Sequence, residues 1–238
     1  MPLRVWRPVA LLAACLPLQG IGAGAPVDAP FYEPAHLRTD NASLARQIAF
    51  PDVAGDVTRS VPCRAEVSRK GKLSKAFCFA GGRQDRPFER AVIRAADRAK
   101  MHPARIDGKA VAVTMHFTAI FDRRDGHAQV HVVPHHFLNA TELGVAYYAP
   151  QLLRRSVKSV PRSCINNDLM VRVVVDAAGR AAGPVFHRGD PADGCIERGK
   201  QWVVKKRFIP GMVSGEPAAM PHVVVVRWTP SWATRGRP

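Results

Sequence analysis

An internal repeat restricts the fold of this chain more than any other feature. In the first copy, Cys63-Arg64-Ala65-Glu66-Val67 alternates small or apolar residues with charged ones, the pattern of a strand with one buried face. Arg69-Lys70-Gly71-Lys72 is a turn with glycine where positive φ is needed, and Leu73 to Phe79 returns as a second strand. Gly81-Gly82 breaks it. Phe88, Ala91, Val92, Ala95, Ala96 and Ala99 then recur at helical spacing, with Arg90, Arg94 and Arg98 on another face. Asp85 suits the N-cap and Pro87 the first turn. His102-Pro103 ends the helix, and Ile106 to Lys109 turns into a third strand, Val111 to Phe121. The second copy gives a strand at Met170–Val175, a turn at Asp176–Arg180 and a return at Ala181–His187. A helix through Cys195, Gly199, Trp202 and Val203 follows, then Phe208-Ile209-Pro210, a turn at Gly215 and a strand through Val223–Val226. Gly71 and Gly179 are 108 residues apart, Pro103 and Pro210 are 107 apart, and Met101 then matches Phe208. Strand-strand-helix-strand order given twice at one spacing predicts a duplicated domain.

The repeat carries a family pattern. Copy one has Phe50-Pro51-Asp52-Val53-Ala54, the turn at Gly71, Met101-His102-Pro103-Ala104, Asp107-Gly108 and the strand Val111 to Phe117. Copy two has Val171 to Val175, the turn at Gly179, Phe208-Ile209-Pro210-Gly211 and Val223 to Val226. In this order and spacing each copy resembles the C-terminal domain of TonB, the energy transducer of Gram-negative bacteria. The resemblance implies an α+β fold, two tandem domains over residues 47–133 and 150–230, each a small antiparallel sheet with one packed helix. Residues 26–46, with Pro26, Pro30 and Pro34, are expected to be a linker. Asp122 to Gly126 predicts a hairpin, so His127 to Val133 should add a strand to the first domain.

The resemblance also implies a mode of action. A partner's extended segment would pair with the open edge of the last strand of each copy. That edge would be Val111, Val113, Met115 and Phe117 in the first, and Val223, Val224, Val225 and Val226 in the second. The implied partner is a protein, an outer-membrane receptor or another envelope protein. The chain lacks the Pro-Lys and Pro-Glu repeats of a full transducer, so the role the resemblance implies is assisting TonB-dependent transport by edge-strand pairing, with energy transduction itself left open.

Export is expected from the N-terminus. Arg4 and Arg7 precede an apolar run from Val9 to Leu16 and a small-residue stretch from Gly20 to Ala25, as in a bacterial secretory signal over residues 1–25. Two processing routes stay open: cleavage before Gly24, giving soluble periplasmic protein, or a lipoprotein signal that ends before Cys15 and leaves a lipid there. Four cysteines remain beyond Cys15, an even number that suits disulfides. Cys63 and Cys78 flank the Gly71 turn. With Val67 opposite Leu73, Cys63 faces Phe77, and a single bulge near Lys75-Ala76 brings Cys78 into line. The expected pairs are Cys63–Cys78 and Cys164–Cys195, one within each domain.

No catalytic residues, cofactor or metal are expected. There is no nucleophile elbow, phosphate loop or His-Glu-x-x-His motif. His127, His131, His135 and His136 cluster after His116, yet His127 and His131 lie roughly 13 Å apart on one strand at about 3.3 Å per residue and cannot share one ion. The 35 Lys and Arg against 19 Asp and Glu give a formal net charge of +16, a field that attracts anions. These cations are spread without interleaved aromatics, so nucleic acid is not the expected partner. The alternative to protein binding is a structural role at the cell envelope, holding anionic lipid or glycan through the basic surface.

Overall fold

The computed structural model describes residues 30–79, 81–154, 168–189 and 194–227. The expected signal, Cys15 and Cys164 lie outside these residues. In chain order the main elements are β1 (Val57–Val67), β2 (Leu73–Cys78), α1 (Arg86–Ala96), β3 (Val113–Arg124), β4 (His127–Val133), β5 (Gln151–Leu153), β6 (Asp168–Val175), β7 (Ala181–Gly189), α2 (Cys195–Val204), β8 (Phe208–Ile209) and β9 (Met220–Arg227). Together they make a mixed α+β fold with antiparallel sheets and few helices. The larger sheet has the order β8-β5-β3-β1-β2, with β4 also paired to β3, and the smaller has the order β7-β6-β9.

Alternation in the sequence decides which faces are buried. In β1, Val61, Cys63, Ala65 and Val67 point inward, as do Val113, Met115, Phe117, Ala119 and Phe121 in β3. The apolar stripe of α1, with Phe88, Ala91, Val92 and Ala95, packs on this face. The Phe88 ring meets Phe121 edge-on at 4.9 Å between centroids. Burying a side chain of this size contributes about 1.5–3 kcal/mol. Asp85 precedes α1 without capping it: its Oδ2 accepts the Gly81 N–H at 3.0 Å instead. In the smaller sheet Leu169, Val171, Val173 and Val175 of β6 and Val224 and Val226 of β9 pack on Cys195 and Val203 of α2.

The same local construction closes both halves. Gly71 has φ +74°, and the Met101 N–H donates to its carbonyl at 2.9 Å. Gly179 has φ +71°, and the Phe208 N–H donates to its carbonyl at 2.9 Å. A Cβ on either glycine would fall 2.0 Å from the Met101 oxygen or 2.1 Å from the Phe208 oxygen. Only glycine combines that conformation with so close a backbone approach.

Residues 30–46 are not the loose linker expected. Tyr32-Glu33 pairs with Arg105-Ile106, and His36-Leu37 pairs with Met101-His102. Leu44 and Ala35 are fully buried. The prolines do not prevent this, because the buried Gln151 side chain takes the backbone of Ala35. Its Oε1 accepts the Ala35 N–H at 2.8 Å, and its Nε2 donates to the Ala35 carbonyl at 2.7 Å. Likewise the second half begins before residue 150, since Tyr147-Tyr148 pairs with Met212-Val213 and Gln151-Leu152 with Phe208-Ile209. β5 ties the halves together. Leu152 and Leu153 also pair with Thr114 and Val113 of β3.

Candidate functional site

The two predicted edges differ. In the first half the edge is not open. β3 pairs with β1 along its length, and its other side is covered by β5 at Val113-Thr114 and by β4 from Thr118 to Arg124. Val113, Met115 and Phe117 are core residues. Val111 lies in a separate short strand, Lys109–Val111, paired with Ala104–Ile106. The expectation of a free edge fails here because the chain itself supplies the neighbouring strands.

In the second half β9 pairs with β6, and among the described residues no strand covers its outer side. Val224 and Val226 are in the core, while Val223 and Val225 line a cavity. Two side chains show which backbone groups face outward. Asn139 Nδ2 donates to the Pro221 carbonyl at 3.0 Å, and Arg64 Nη1 donates to the Val225 carbonyl at 3.2 Å. In an antiparallel ladder, alternate residues turn their N–H and C=O to the same side. Val223 therefore also presents its backbone outward, between two positions that are partly occupied.

The cavity has a volume of about 320 Å³ and lies between the halves. Its apolar wall includes Pro62, Phe79, Leu138, Met170, Val223 and Val225. Its polar wall includes His116, His136, Asn139, Tyr147 and His222, with His187 and Arg188 of β7 at the exposed side. His116 and His222 are only 7% and 5% exposed. The His116 and His136 rings stack in parallel at 4.6 Å, and His222 lies 4.9 Å from His116 at a tilt of 33°. His136 Nε2 donates to the Cys63 carbonyl at 2.7 Å.

Burial dominates the electrostatics of this cluster. It holds His116 well below its usual proton affinity, helped by His136, His222 and Arg64. Burial and then His136 push His222 from 6.5 down to about 3. His136 is lowered by burial against the opposing effect of its bonds to the Cys63 and Phe117 backbones. The three rings are therefore neutral at pH 7. Parallel stacking does not converge lone pairs on one point, and among the described residues no set of three or more His, Cys, Asp or Glu is placed to hold a metal ion.

The predicted histidine run is dispersed. His127 and His131 lie on β4, where His131 Nε2 meets Gln129 Oε1 at 3.2 Å. His135 is buried against Tyr147, rings stacked at 4.1 Å, and its Nε2 donates to the Val145 carbonyl at 3.0 Å. Sequence reasoning missed His222. The available signal was a polar residue on the core-facing register of an otherwise apolar strand.

Cys63 and Cys78 form a disulfide and sit opposite each other in the β1–β2 ladder. The bulge falls at the expected place: two residues, Lys75 and Ala76, oppose Ala65, and Lys75 has φ +50°. Cys195 is also disulfide-bonded, while its expected partner Cys164 lies outside the described residues. Among the described residues no helix is long and apolar enough to cross a membrane. No family model matches the chain, and no curated protein or solved structure matches it either.

Proposed function

We propose that the protein is a non-enzymatic, TonB-like binding module of two tandem copies, acting in the periplasm. An extended segment of a partner protein adds as a strand to the outer edge of β9. The observation that carries this reading is the contrast between matching strands. Val67 opposes Val113 and Val175 opposes Met220, so β3 and β9 hold the same place in their halves. The outer side of β3 already accepts strands from this chain, while that of β9 is uncovered among the described residues. Main-chain bonds to Val223 supply affinity, and side chains entering the cavity supply choice. The partner is an outer-membrane receptor or another envelope protein.

Val223→Pro tests this directly. It removes the outward N–H and leaves the β6–β9 ladder intact, since proline is tolerated on an edge facing away from the sheet. Peptides from periplasm-facing segments of outer-membrane receptors should bind the parent protein and lose binding in the variant, with circular dichroism unchanged. Equal binding by both proteins would refute strand addition at β9.

A second reading has one observation in its favour. Arg86, Arg90 and Arg94 form an exposed row on α1. Like charges at this spacing cost an isolated helix about 0.2–0.5 kcal/mol per pair, which an anionic envelope surface would offset. Salt-sensitive sedimentation with envelope fragments, without peptide binding, would support this role instead.

A further inference from the structure

The cavity beside β9 poses a further question, which is what its polar wall binds. His116 and His222 are more than nine-tenths buried and both line it. Their ring neighbours are His136, Phe208 and each other, and among the described residues neither imidazole makes a hydrogen bond. Among the described residues, two buried imidazoles thus face a half-open, mostly apolar space without a hydrogen-bond partner. Buried polar groups are ordinarily paired, and exceptions call for a ligand or ordered water.

Charge narrows the choice. Among the described residues no Asp or Glu lines the cavity. Among the described residues, the other titratable or charged groups around it are Arg64 of β1 beside His116, His136 after β4, Tyr147 before β5, and His187 and Arg188 of β7. A cation would be desolvated there with no counter-charge. An anion would meet Arg188 at the exposed side and imidazole N–H donors within. The volume of about 320 Å³ is at the small end for ligand pockets, of the order of 300–1,000 Å³. Leu138, Met170, Val223 and Val225 offer an apolar body its contacts.

We propose that this cavity binds a small organic carboxylate with a compact apolar body, the carboxylate accepting hydrogen bonds from His116 and His222 and attracted by Arg188. Burial keeps both imidazoles neutral near pH 7, so they serve the carboxylate as uncharged N–H donors.

Benzoate is the probe and benzamide its uncharged counterpart, each titrated into the full chain by calorimetry and ligand-observed NMR. Benzoate should bind saturably at one site, about tenfold tighter than benzamide. Arg188→Gln, at an exposed position, should weaken benzoate several-fold with the fold intact. His222→Phe should weaken it further. If that variant does not fold, the histidine ring resonances of the parent protein carry the test, and those of His116 and His222 should shift with benzoate. Absence of saturable binding, equal affinity for benzamide, or histidine resonances unmoved by benzoate would each overturn the proposal. Peptide binding at β9 is read separately through Val223→Pro, so the two readings can fail independently.

Discussion

Lowering the pH should destabilise the protein through His222. Burial and the neighbouring His136 lower this imidazole from 6.5 to about 3 in the folded state. The unfolded chain therefore binds more protons than the native state between those values. The associated stability is complete above the unfolded value and is lost progressively as the pH falls from 6.5 toward 3. Moving from pH 7 to pH 5 costs about 2 kcal/mol from His222 alone, and the full loss approaches about 5 kcal/mol below pH 3. His116 and His136 are lowered too and add to the slope. The carboxyls of Asp40 and Asp122 are held below 3.8, chiefly by hydrogen bonds from Arg38 and Thr58 respectively, so they titrate below this window. The assay is urea unfolding at pH 7, 6 and 5 with the disulfides intact, on the parent chain and on His222→Phe. Phenylalanine keeps a ring against His116 and Phe208 and removes the titrating group. The parent should lose at least about 2 kcal/mol over this range, and the variant should lose about 2 kcal/mol less than the parent. Equal losses in the two proteins would refute the assignment of this acid sensitivity to His222.

Two further outcomes follow from the backbone. Gly71→Ala and Gly179→Ala should each cost about 2–4 kcal/mol, because a Cβ meets a backbone oxygen in both turns; Gly108→Ala, with φ +74° and open space around it, should cost only about 1–2 kcal/mol by the same urea measurement. Replacing both Cys63 and Cys78 by alanine opens a loop of sequence separation 15. It should lower unfolding free energy by about 3 kcal/mol, while the parent protein treated with reductant shows a loss no smaller.

The features legible in the sequence were those with local periodicity. Alternation in Cys63–Val67 and the helical spacing from Phe88 to Ala96 mark β1 and α1 because each buries one face of a single element. The Cys63–Cys78 pairing was legible because a hairpin register can be counted outward from its turn. Pairing at Tyr32-Glu33 and His36-Leu37 was not, since two-residue strands carry no period and their partners lie beyond residue 100. The cover that β5 places on β3 likewise depends on contacts between residues far apart in sequence, such as Leu153 with Val113. The cavity was invisible for the same reason: its histidines come from β3, a loop and β9, and nothing local brings His116 to His222.

The matched strands also show where a segment added to β9 must begin. Position for position, Thr114 of β3 corresponds to Pro221 of β9, because Glu66 opposes Thr114 and Val174 opposes Pro221. Thr114 is where β5 lies against β3, opposite Leu152. Proline has no N–H to offer a strand in that register, and the Pro221 carbonyl is already taken by Asn139. The mode by which the first half covers itself is thus closed to a segment approaching the second half at this position. Arg64 occupies the Val225 carbonyl from the other side. An added strand must therefore anchor on Val223, whose outward N–H and carbonyl lie between these two side chains and beside the cavity. This confines the register to one main anchor, and it explains why a single substitution at Val223 is a sufficient test of the whole edge.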